Sequence, residues 1–120
     1  MTIVNLGTEI HDVHVFKNDE QKRLACAFIQ GAVYAWIGAN ADKTFRVRDL
    51  FGGNNSFAWE KTPLEPLWDN YREAGKSNDE AFDLAAKAAG RLLKIVLVND
   101  KREFFVHEEF VNSYSWVPEE

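Results

Sequence analysis

Three groups of residues carry side chains that could do chemistry, and each fixes a different kind of chemistry. Lys87, Arg91 and Lys94 stand at i, i+4 and i+7 in "AAKAAGRLLKIVLVND". On a helix that spacing makes one row of cations, the arrangement a protein uses to track a phosphate backbone or an acidic surface. His11 and His14 make an H-x-x-H pair, with His107 far along the chain. Two histidines can chelate when they face one way, but three apart on a strand they point to opposite faces, so no metal is expected. Cys26 is flanked by Ala25, Ala27 and Phe28, gives no local cue for a depressed pKa, and reads as a packed thiol rather than a nucleophile. "LFGGNN" lacks the lysine and hydroxyl of a phosphate loop. No catalytic set and no cofactor are expected.

The cation row has a plainer explanation. Asp79, Glu80 and Asp83 precede it, so acids at the front and bases behind follow the helix dipole, and Asp83 to Lys87 is a favourable i, i+4 pair. The aromatics are the other candidates for a ligand. Trp36, Trp59, Trp68 and Trp116 with Tyr34, Tyr71 and Tyr114 are many amphipathic rings for a chain of 120 residues, and such rings are enriched at interfaces. Tyr114 and Trp116 alternate with Ser113 and Ser115, so on a strand the two rings share one face, an interaction surface if the first helix leaves it open.

These residues must be held by elements legible from period and punctuation. "EIHDVHVF" alternates Val13 and Val15 with polar neighbours and predicts an N-terminal strand. Asn18 and Asp19 offer caps for a helix from about Glu20 to Ala39, with a core stripe of Leu24, Phe28, Ala32, Ala35 and Trp36. Its second half is apolar on the opposite side too, through Val33, Tyr34 and Ile37, which predicts cover on both sides. A short strand at Phe45 to Val47 and a Gly/Asn loop follow. "TPLE" and "SNDE" are capping boxes that start helices over about Pro63 to Ala74 and Asn78 to Val98, with Gly75 ending the first. The alternative for "LLKIVLV" is a strand after Gly90. The unbroken 3.6-residue period of Phe82, Ala85, Ala86, Ala89, Leu92, Leu93, Val96 and Leu97 favours one helix, with Asp83, Lys87, Arg91 and Lys94 on its wet side. "REFFVHEEF" and "NSYSWV" read as two closing strands.

The stretches "FRVRDL", "TPLEPLWDNYREAGKS" and "DEAFDLAAKAAGRLLKIVL", followed by the two strands, resemble in their order the winged helix-turn-helix superfamily over roughly Glu20 to Val117. The resemblance implies a small α+β domain with a three-helix core, a C-terminal β-hairpin and, in this chain, an extra N-terminal strand. In DNA-binding members the third helix enters the major groove with its front residues on the bases. Here those positions are Asn78, Asp79, Glu80 and Asp83, and Glu108 and Glu109 fall near the wing, so acids would meet phosphates.

Composition agrees with the protein-binding side of that comparison. Fourteen Lys and Arg against 19 Asp and Glu give a formal charge of −5, which opposes attraction to a polyanion. With 46% hydrophobic residues the chain can bury a core as a single domain, 1–120. No signal segment or membrane span is read, and one cysteine cannot form an internal disulfide, so the expected compartment is the cytoplasm. The sequence thus predicts a non-catalytic protein-interaction module of adaptor or inhibitor type, with Tyr114, Trp116, Lys87, Arg91 and Lys94 as its contact candidates. A sequence-specific DNA-binding regulator is the alternative and a small enzyme the second.

Overall fold

The computed structural model describes residues 12–40, 44–46, 49–50, 62–100, 102–107 and 113–117. It is a small α+β domain of three principal helices followed by an antiparallel hairpin: α1 (Asp19–Ala39), α2 (Glu65–Glu73), α3 (Asn78–Asn99), β1 (Glu103–His107) and β2 (Ser113–Val117). No helix among the described residues is long and apolar enough to cross a membrane.

α1 and α3 start where a side chain satisfies a free backbone N–H group. Asn18 caps α1, its Oδ1 accepting from the Gln21 N–H at 2.9 Å. Ser77 caps α3, its Oγ accepting from the Glu80 N–H at 3.2 Å while its hydroxyl donates to Glu80 Oε1 at 3.1 Å. The "TPLE" box behaves differently. Thr62 Oγ1 accepts from the Leu64 N–H at 3.2 Å, two residues on, and the Glu65 N–H donates to the Thr62 carbonyl at 3.0 Å. The threonine therefore closes a turn rather than capping the helix, and α2 begins at Glu65 with Pro66 in its first turn. α2 ends in a Schellman motif: Gly75 has φ +94°, the Lys76 N–H donates to the Tyr71 carbonyl and the Gly75 N–H to that of Arg72. Only a residue tolerant of positive φ fits there, which is why the turn into α3 can be so short.

α3 is one helix to Asn99, and the strand alternative for its second half is excluded. It changes character at Arg91. Up to that residue it is amphipathic, with Ala81, Ala85, Ala88 and Ala89 buried and Asp79, Asp83, Ala86, Lys87 and Arg91 exposed. Beyond it Leu92, Leu93, Lys94, Val96 and Leu97 are all buried, as a segment apolar nearly all round must be. Ala86, expected inside, lies outside, and Ala88 takes its place in the core.

The hairpin register pairs Phe104 with Trp116, Phe105 with Ser115 and Val106 with Tyr114. Phe45 adds a single antiparallel bridge on the other edge of β2, with Phe45 and Tyr114 exchanging two N–H···O bonds of 2.8 Å. The strand expected from Phe45 to Val47 is this one residue; Val47 lies outside the described residues. Phe45, Phe104 and Tyr114 form an aromatic knot, with centroids 6.1 Å apart and rings perpendicular for the first two and 6.0 Å for Phe45 and Tyr114.

The expected N-terminal strand is not found over residues 12–16, which join no sheet; the residues before them lie outside those described. Hydrogen bonds of another kind hold that segment. Asn70 on α2, buried, donates from Nδ2 to the Val15 carbonyl and to Gln21 Oε1, each at 3.1 Å. Gln21 Oε1 also accepts from the Lys17 N–H, and Lys22 pairs with Asp12. Val13 thereby enters the core without a sheet partner.

α1 corrects the sequence reading most. Its buried stripe is Ala25, Ile29, Val33 and Ile37, not Leu24, Phe28, Ala32, Ala35 and Trp36. Leu24 is 43% exposed, Ala35 is exposed, and Phe28, Ala32 and Trp36 are half-buried. The two stripes differ by one residue, a rotation of about 100°. Both are apolar; the structure buries the first completely and the second only along one edge, where Phe28 and Trp36 pack against the core.

Candidate functional site

The five predicted contact residues do not form one site. Tyr114 is buried against Phe45 in the core, 3% exposed, so it is not an open anchor on the hairpin. Trp116 is opposite Phe104 in the register. Lys87 and Arg91 are exposed on α3, as the wet-side reading required. Lys94, the third of that row, is 6% exposed. The helical spacing does align it with Lys87, but it lies in the half of α3 that the rest of the domain encloses, so its long apolar stem is packed. The row of three cations is thus a pair at the surface.

The remaining chemical candidates separate as well. His14 and His107 are exposed, and His107 Nε2 is 2.9 Å from Ser115 Oγ across the hairpin. His11, Trp59, Glu108 and Glu109 lie outside the described residues. Among the described residues no three His, Cys, Asp or Glu side chains gather to hold a metal ion. Cys26 is half-buried and burial pushes its thiol upward, which disfavours the thiolate.

One polar cluster escaped sequence reasoning. Asp100, just past α3, is 1% exposed. Its Oδ1 accepts from the Arg102 N–H at 2.7 Å and its Oδ2 from Gln30 Nε2 at 3.1 Å. Gln30 Nε2 is also 3.4 Å from the Tyr34 hydroxyl, and the Arg102 guanidinium carbon sits 4.5 Å from the centre of the Tyr34 ring. Burial, and then the neighbouring Asp100 carboxylate, push the Tyr34 hydroxyl pKa upward. With both carboxylate oxygens occupied inside the protein, the cluster is a clasp between α1 and the α3–β1 junction, not a cleft that presents a base to substrate. Its signal in the sequence was only an acid after an apolar helix, which reads as a cap.

The most distinctive surface is the open flank of α1. From Leu24 to Ala39 the helix contains no charged residue. The side turned away from the core exposes Leu24, Ala27, Gly31, Ala35 and Gly38, with Phe28 half-buried beside them. A solvated helix face normally carries charge; here Glu20 and Arg23 mark its N-terminal edge and nothing charged follows. The glycines are not demanded by packing inside the chain, since a Cβ at Gly31 or Gly38 would meet no atom within 4 Å.

No family model, curated protein or solved structure matches this chain. The surface chemistry therefore carries the functional argument.

Proposed function

We propose that this chain is a non-catalytic protein-interaction module, of adaptor or inhibitor type, that receives a partner on the open flank of α1. The observation that carries the reading is the flank of Leu24, Ala27, Gly31, Ala35 and Gly38 on that helix, exposed and without a charged residue over four turns. Such a face costs solubility unless something binds it, and the small residues Ala27, Gly31 and Ala35 let a partner's side chains approach the helix backbone. Leu24 and Phe28 at its border supply the larger apolar contacts.

The scaffold that goes with this reading is a winged-helix-like one. The helix order, the short turn into α3, the hairpin and the Phe45 bridge on the edge of β2 support it. Duplex-DNA binding, the alternative, is opposed by the front of α3, where Asp79, Glu80 and Asp83 are exposed and would face phosphates. The uncharged flank of α1 presents no such repulsion to a protein partner. Cytoplasmic location belongs to this proposal and rests on the lone, half-buried cysteine.

The test places a charge on the flank without touching the core. Binding partners captured with the wild-type chain should be lost with Ala27→Arg and Ala35→Glu, while circular dichroism and melting temperature stay unchanged. Retained capture by both variants refutes the flank as the docking face. Fluorescence anisotropy with duplex DNA should show no salt-sensitive binding; tight binding that falls steeply with salt would favour the regulator alternative.

A further inference from the structure

The outer face of α3 carries Asp79, Asp83, Lys87 and Arg91, all exposed, at intervals of four residues. Successive members rise about 6 Å along the axis, so the row spans about 18 Å. Its order is acid, acid, base, base. The helix dipole accounts for Asp79, in the first turn, but its effect fades beyond the first and last turns. Arg91 stands eight residues before the helix ends, and the last turn of α3 holds no basic residue. Dipole complementarity therefore does not explain Lys87 and Arg91.

Pairing within the helix explains only the middle of the row, where Asp83 and Lys87 are a favourable i, i+4 pair. At its two ends Asp79 with Asp83 and Lys87 with Arg91 are like-charge i, i+4 neighbours, which destabilise a helix. Among the described residues no ion pair or side-chain hydrogen bond engages any of the four. A third oddity lies beside the row. Gly90 is in mid-helix, where it is a poor helix former, yet a Cβ there would meet nothing within 4 Å. Its neighbour along the same side, Ala86, is exposed and small.

We propose that this face of α3 pairs antiparallel with the same face of a second copy of the chain. Antiparallel alignment about a two-fold axis level with residue 85 sets Asp79 against Arg91 of the other copy and Asp83 against its Lys87. The symmetry then repeats both pairs, so the two like-charge runs become four opposite-charge contacts. Gly90 and Ala86, beside the row, keep that edge of the seam free of bulky side chains, so the charged groups can reach across it. A parallel alignment would put like charges together, so the charge order selects the orientation as well as the partner. Exposed ion pairs are individually weak, so the product is a reversible dimer populated at high protein concentration and low salt. This surface is on a different helix from the flank proposed above, and the two proposals stand or fall separately.

Sedimentation velocity over a concentration series of the wild-type chain tests it. A monomer–dimer equilibrium is expected, weakening by about tenfold or more as salt rises from about 0.02 M to about 0.5 M. Lys87→Glu with Arg91→Glu should be monomeric, as should Asp79→Lys with Asp83→Lys, and an equimolar mixture of the two should form a heterodimer. Gly90→Leu should block the wild-type dimer by holding the helices apart. Ala27→Arg on α1 should leave it intact. The proposal is overturned if the wild type stays monomeric throughout at low salt, if the charge-reversed chains dimerise alone, or if their mixture does not pair. Loss of the dimer in Ala27→Arg would equally overturn it, by moving the interface to α1.

Discussion

Truncating Leu24 and Ile29 separately asks which stripe of α1 faces the core. Ile29 is fully buried; Leu24 keeps 43% of its surface in water. Ile29→Ala removes buried methyl groups and leaves a cavity, a change that costs about 2–5 kcal/mol. For Leu24 roughly half of the ~1.5–3 kcal/mol of full burial is at stake. A few tenths return because alanine is the better helix former, so Leu24→Ala should cost about 1 kcal/mol or less. With a urea m-value of about 1.5 kcal/mol/M, a 3 kcal/mol loss moves the unfolding midpoint down by about 2 M, and the Leu24 variant by well under 1 M. Urea titrations followed by far-UV circular dichroism would measure both, with equal m-values confirming that stability alone has changed. Equal losses at the two positions, or a larger one at Leu24, would refute the assignment of the core stripe and with it the open flank on which the proposed function rests.

Other perturbations have signs fixed by the geometry. Tyr114→Ala should cost about 3–5 kcal/mol, as for a fully buried aromatic, a loss that thermal unfolding would measure. Ser77→Ala should lower stability by about 1 kcal/mol through loss of the cap on Glu80, and Ser77→Asp should restore most of it. Tyr34 should ionise above the usual tyrosine range, visible as the 295 nm titration component absent from Tyr34→Phe. Because its folded pKa is raised, that contribution to stability is complete below the unfolded value near pH 10 and is lost as pH rises beyond it, so the wild type should lose stability above pH 10 more steeply than Tyr34→Phe.

The elements were legible because their signals are local. Asn18, Ser77 and Gly75 punctuate the chain within a few residues of the boundaries they set, and the period of α3 is long enough to separate helix from strand. Orientation was less legible. In α1 the stripes beginning at Leu24 and at Ala25 are both apolar, so hydrophobic periodicity cannot choose between them; only the elements packed on the helix do. The same holds for Lys94, whose spacing aligns it with Lys87 while its burial depends on what surrounds the last turns of α3. Tyr114 alternates as an interface residue would, but the Phe45 bridge that covers it comes from 69 residues earlier in the chain. The Asp100 clasp joins positions 70 residues apart through Gln30 and leaves no pattern at either end.

The two hydrogen bonds of Asn70 set an order in time. They tie α2 to Val15 and Gln21 across 55 and 49 residues, whereas α2 and α3 meet through a short turn. Closing the longer loops carries the larger entropic cost and comes after the local pairing has formed. We expect a contact made that late to contribute little to the folding transition state. Asn70→Ala should therefore speed unfolding and leave refolding nearly unchanged in stopped-flow measurements; slowed refolding would place the contact in the nucleus instead. On this account Asn70 governs how long the folded chain lasts rather than how fast it forms.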